Sequence, residues 1–118
     1  METTTPQQTL IKIAQEFGAP VYVYNESKII EQYHSLINAF KDCNVKIHYA
    51  AKALTNINVL QIFKKLGAGL DTVSIQEVLL GIKAGFKPEE ILFTPNCVSL
   101  EEIDMAVALG VKVNIDNI

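Results

Sequence analysis

Tryptophan is absent from this 118-residue sequence, cysteine occurs twice, and basic residues number only ten. Each scarcity removes a class of function. Two cysteines, Cys43 and Cys97, are too few for the disulfide framework of a small secreted domain, so reduced thiols are expected. They form no C-x-x-C pair, and His34 and His48 are not paired at helical spacing, so no metal site is expected. The formal net charge is -3, and the longest basic run is the pair Lys64-Lys65. Binding to nucleic acid needs clustered cations, so that partner is not expected either. No stretch reaches membrane-spanning length. Met1 to Thr9 is polar and lacks the basic start and apolar core of a secretory leader, which makes a cytoplasmic setting the expectation.

What remains is globular material. Hydrophobic residues make up 49% of the chain and charged ones 19%, enough apolar surface for a core in one ordinary domain. Leu10, Ile11, Ile13, Ala14 and Phe17 recur at helical spacing, with Gly18 placed to end that helix. After Pro20, the β-rich run Val21-Tyr22-Val23-Tyr24 predicts a short strand. The spacing of Ile29, Ile30, Tyr33, Leu36, Ile37 and Phe40 then predicts an amphipathic helix over 28–40.

From there one unit repeats: an apolar strand, a polar turn, and a helix closed by glycine. Strands are predicted at Val45–Ala51, Leu70–Val73, Ile91–Thr94 and Val111–Ile115, and the intervening helices end at Gly67, Gly85 and Gly110. Ser74-x-x-Glu77 and Ser99-x-x-Glu102 both read as capping boxes. Such alternation means right-handed βαβ units and a parallel sheet. An open doubly wound sheet and an eight-stranded barrel both use it. No G-x-G-x-x-G follows a strand, which removes support for the dinucleotide-binding version of the open sheet. A whole barrel needs about 250 residues, so the expectation is an α/β fold comprising part of a (β/α)8 barrel. Residues 1–17 would form a polar tail and helix, and 18–118 the N-terminal portion of the barrel. The mean hydropathy of +0.22 fits residues that belong to a larger core.

Chemistry in parallel α/β folds gathers where strands end. Lys52 holds that place on the first repeat strand, between small alanines and ahead of the polar turn Thr55-Asn56. Alternation along the strand would put His48, Ala50 and Lys52 on one face. A lysine set among apolar groups loses solvation of its ammonium form, which frees the amine as a nucleophile. An ordinary strand-end lysine reaching solvent has the same local sequence.

Tyr49-Ala50-Ala51-Lys52-Ala53 resembles the Y-A-x-K-A segment of the alanine-racemase-like barrel decarboxylases, whose lysine carries pyridoxal 5'-phosphate (PLP) covalently. Three more segments match in order. Gly18-Ala19-Pro20-Val21-Tyr22-Val23-Tyr24 is similar to the G-T-P-x-Y-V-Y opening of diaminopimelate decarboxylases. Gly69-Leu70-Asp71-Thr72-Val73-Ser74 through Glu77 is similar to their G-x-D-x-x-S-x-x-E segment. Ile91 to Asn96, leading into Ser99-x-x-Glu102, is similar to their next strand and turn. The likeness runs from about Phe17 to Asn117. It departs at Ile75-Gln76, where many relatives carry Gly-Gly, at Val98, where a lysine is frequent, and at Pro95, where a glycine is.

This resemblance implies a PLP-binding barrel in which Lys52 is the catalytic, cofactor-bearing residue. It also implies Asp71 at the neighbouring strand end, to steady the lysine ammonium, and Glu77 at an acidic position near the cofactor. Val21–Tyr24 would pair with a separate β-domain rather than join the barrel. His48 would be a buried, hydrogen-bonded histidine of the barrel interior. Nothing in the sequence resembles the glycine-rich loop that holds the PLP phosphate. The implied activity is decarboxylation of meso-diaminopimelate to L-lysine by a homodimer. The alternatives are another basic-amino-acid decarboxylase, acting on ornithine, arginine or carboxynorspermidine, and a non-catalytic PLP carrier of the same barrel type.

Overall fold

The structure, a computed structural model, describes residues 5–115. The chain divides into two compact units, Met1–Ala39 and Phe40–Ile118.

The first unit contains two helices. In α1 (Gln7–Phe17) the carbonyl of Pro6 accepts from the N–H groups of Thr9 and Leu10, at 2.9 and 3.2 Å, and closes the first turn. The helix stops at Gly18, whose φ of 86° is open to glycine without a steric penalty. In α2 (Glu26–Ala39) the Asn25 side chain accepts from Lys28 N at 3.1 Å, as an N-terminal cap. Tyr33 is buried, and burial pushes its phenol up from the ordinary range.

Val21–Tyr24 is not a strand here. It has no ladder partner among the described residues, and all four of its side chains are exposed. Extended, β-rich residues become a strand only when another strand takes their backbone hydrogen bonds.

The second unit is a four-stranded parallel sheet in the order β1 (His48–Ala50), β2 (Gly69–Thr72), β3 (Ile91–Phe93), β4 (Lys112–Val113). The crossovers are α3 (Ile57–Lys65), α4 (Ile75–Ala84) and α5 (Leu100–Ala108), and glycines at positive φ follow each of them. Strand order equals chain order, and α3 packs on α4 and α4 on α5 in a single layer. A doubly wound sheet reverses its order at a switch point and places helices on both faces. A barrel does neither, so the α/β fold is that of a barrel segment.

The register sorts side chains onto two faces. Tyr49, Leu70 and Ile91 lie in one row, and Thr72, Phe93 and Val113 in the next. This face meets the helices, and Leu60, Leu70, Val78 and Phe93 are fully buried. Thr72, also fully buried, donates its hydroxyl to Leu92 O at 3.0 Å and leaves no orphan. The opposite face presents His48 and Gly69 in one row, and Ala50, Asp71, Leu92 and Lys112 in the next.

The strands are shorter than the sequence pattern suggests. β1 begins at His48 because β2 begins at Gly69, and residues without a partner drop out of the ladder. Only Ile47 O reaches across, accepting from Gly69 N at 2.9 Å.

Candidate functional site

β1 ends at Ala50, and Ala51–Ala53 form a single 3-10 turn. Lys52 therefore sits in that turn and not on the strand. The expected alternation of His48, Ala50 and Lys52 on one face holds only for the first two. Two contacts clamp the turn. Leu54 N donates to Ala51 O at 3.1 Å, and the Tyr49 hydroxyl donates to Leu54 O at 3.2 Å. Tyr49 is itself fixed by stacking on Phe63, with ring centroids 4.0 Å apart and planes 15° from parallel. Ala51 is completely buried and the turn packs against β2, while Lys52 is exposed. The Y-A-x-K-A spacing has a local physical sense. Tyrosine anchors the turn, a small buried residue lets it lie close to the sheet, and the lysine is left pointing off a rigid mount. The apolar enclosure expected around Lys52 is not present.

Asp71 pairs with Ala50 across the β1–β2 ladder, so it stands at the same end of the sheet as the turn that carries Lys52. It is half-buried and accepts a hydrogen bond from the Thr94 hydroxyl at 2.8 Å. Ser74 caps α4 by accepting from Glu77 N at 3.3 Å. The Glu77 carboxylate reaches back to Val73 N at 2.8 Å, one residue before the serine expected for a capping box. At α5 the reciprocal box is complete between Ser99 and Glu102. Ile75, which replaces the frequent glycine, is buried in the core at the first turn of α4.

His48 departs from expectation. It is exposed, because the face it shares with Asp71 is not covered within this unit. Its ring lies across Gly69, where a Cβ would collide with the imidazole Cδ2, Nε2 and Cγ. Glycine at this position gives the ring its seat.

The edge past β3 and β4 holds an apolar groove of about 620 Å³ lined by Pro95, Val98, Ile103, Val107, Val113 and Ile115. Asn96, Cys97 and Asn114 add polar atoms, but no charged side chain borders it. Among the described residues no cluster of His, Cys, Asp and Glu could hold a metal ion, and no helix is long and apolar enough to cross a membrane.

Sequence reasoning missed two residues. In the sequence Tyr49 stands out only as part of a motif, and Thr94 only as a strand residue. The alternation of β3 does place Thr94 on the face of Asp71, but that signal is readable only once the register is known.

The comparisons with known proteins agree with the fold of a barrel segment. A family profile described as "Pyridoxal-dependent decarboxylase, pyridoxal binding domain" matches residues 26–118. The chain is 38% identical to a diaminopimelate decarboxylase of Methanothermobacter thermautotrophicus over 109 residues, covering 91% of this chain and 26% of that relative. It is 40% identical to the Campylobacter jejuni enzyme of the same name over 96 residues, 81% of this chain and 24% of that one. Among solved structures, diaminopimelate decarboxylase from M. jannaschii in complex with L-lysine superposes with a TM-score of 0.84 at 32% identity, over 92% of this chain and 26% of that one. Lysine/ornithine decarboxylase from Vibrio vulnificus, complexed with putrescine, gives a TM-score of 0.86 at 28% identity, over 94% of this chain and 30% of that one. The chain thus spans about a quarter of the length of the curated relatives it matches.

Proposed function

Because this chain belongs to the pyridoxal-dependent decarboxylases through their pyridoxal-binding domain, we propose that it serves PLP-dependent decarboxylation of meso-diaminopimelate to L-lysine, with Lys52 holding the cofactor. The observation that carries the reading is the placement of Lys52, an exposed amine on a clamped turn at the C-terminal edge of a parallel sheet.

The residues present fit the aldehyde end of such a cofactor. Lys52 offers an accessible primary amine for covalent attachment, and Asp71 brings a carboxylate to the same edge. When bound, PLP supplies an electron sink for the pair left behind as CO2 departs. Lys52 would hold the cofactor from a fixed mount, since Tyr49 and Ala51 tie down the turn that carries it. Asp71, at the same edge of the sheet, would supply the opposite charge that steadies the lysine ammonium. Glu77 acts first as the cap of α4, and its acidic position near the cofactor is secondary. The reading extends to a cytoplasmic homodimer, as the family resemblance implies.

Substrate choice rests on the relatives. The diaminopimelate decarboxylases of M. thermautotrophicus and C. jejuni share 38% and 40% identity with this chain, against 28% for the lysine/ornithine enzyme. The structural likeness of the latter keeps a decarboxylase of another basic amino acid as the second reading. Grafting residues 26–118 in place of the matching segment of each enzyme tests both. Activity on diaminopimelate in the Methanothermobacter graft, with none in the Vibrio graft on lysine or ornithine, is the expected result. The reverse favours the second reading. In the active graft, Lys52→Ala reduces turnover to near background; retained turnover would refute the assignment.

A further inference from the structure

We infer that Thr94 is a positioning residue for Asp71, acting on the cofactor-bearing lysine through that carboxylate. The inference rests on the reading of Lys52 and Asp71 given above. Thr94 immediately follows β3, yet its backbone stays in the sheet. Its N–H donates to Thr72 O at 2.8 Å, and on the other side Asn114 N donates to Phe93 O at 2.7 Å. The residue is therefore held where strand alternation puts it, on the face of Leu92 and Asp71, one step nearer the edge that carries Lys52. From there its hydroxyl donates to Asp71 Oδ1 at 2.8 Å.

An aspartate has two side-chain torsions, and its carboxylate swings unless something holds it. Among the described residues Asp71 makes no ion pair, so the Thr94 hydroxyl is the group that fixes it. Threonine suits this task because branching at Cβ restricts its first torsion, and a hydrogen bond to a charged acceptor is stronger than a neutral one. Both partners are half-buried, which strengthens the bond further. The sheet alone does not require the hydroxyl, since valine fits a half-buried strand position equally well. With Oδ1 engaged by Thr94, Oδ2 is left available to the lysine.

The test uses the 118-residue chain with limiting PLP and borohydride, followed by peptide mapping of the label over all lysines. Trapping records transient attachment, so it does not depend on retention of the cofactor. The expected result is that Lys52 takes more label than any other lysine. Thr94→Val lowers the labelling of Lys52 relative to the other lysines by roughly tenfold, near the lower end of what one hydrogen bond to a charged group is worth. Asp71→Asn lowers it by a similar factor, the double substitution lowers it no further, and Thr94→Ser restores it. A purely structural role would give multiplicative losses and a lower Tm. If Thr94→Val does not fold, Thr94→Ser against Thr94→Ala gives the same contrast. A silent Thr94→Val, or losses that multiply, overturns the inference while leaving Lys52 in place. An unlabelled Lys52 in the unsubstituted chain overturns the reading beneath it, and the inference falls with it.

Discussion

The two faces of the sheet differ in what they do. One carries Leu70, Thr72, Ile91 and Phe93, all buried beneath α3, α4 and α5, and it holds the fold together. The other carries His48, Asp71 and Thr94, none of them fully buried, and on the proposed reading it is the face that serves the chemistry. The same strands supply both sets, one residue apart. On the proposed reading, truncations on the covered face cost folding first, whereas on the bare face removing Lys52, Asp71 or Thr94 costs function first and only a steric intrusion costs folding.

Substitutions should divide along that line. The largest loss of stability is expected for Phe93→Ala, which removes a fully buried ring at about 3–5 kcal/mol and shifts the urea midpoint accordingly. Next comes a deliberate intrusion on the bare face. Gly69→Ala forces the His48 ring to move and should cost about 1–3 kcal/mol by overpacking. Combining it with His48→Ala should recover most of that loss, and no recovery would mean the ring is not the obstacle.

A smaller effect is expected from acid. The Lys64 ammonium binds both Glu90 oxygens, at 2.7 and 2.6 Å, and this bond, followed by the Lys87 N–H, holds the Glu90 carboxyl below its usual range. A carboxyl lowered in the folded state adds stability above the unfolded pKa and loses it as pH falls through the folded one. The gap in urea midpoint between the unsubstituted chain and Glu90→Gln should therefore be constant above about pH 5 and close below about pH 4. For a partly buried pair its size is about 1 kcal/mol. The smallest effect belongs to Lys52→Ala, which should leave stability within about 0.5 kcal/mol because the side chain is exposed.

The contrast between faces also explains how much the sequence disclosed. Helix ends at Gly67, Gly85 and Gly110, the serine caps and the parallel repeat depend on residues close in sequence, and they were legible. The motif around Lys52 was legible as a motif. Its true form, a 3-10 turn tied down by the Tyr49 hydroxyl, depends on the chain folding back to Leu54. The bond from Thr94 to Asp71 needs the β2–β3 register, which no single strand encodes. His48 is exposed in this unit because alternation assigns a face but not what covers it. Val21–Tyr24 has strand composition without a ladder partner among the described residues, and composition cannot supply one.

On the proposed reading, the bare edge singles out Lys52 among ten basic residues as the point of cofactor attachment. Peptide mapping of borohydride-trapped PLP on the unsubstituted chain tests it most directly. The account predicts that Lys52 dominates the label and that Lys52→Ala leaves only weak, scattered labelling. Dominant label on Lys46 or Lys64, undiminished by Lys52→Ala, would contradict it.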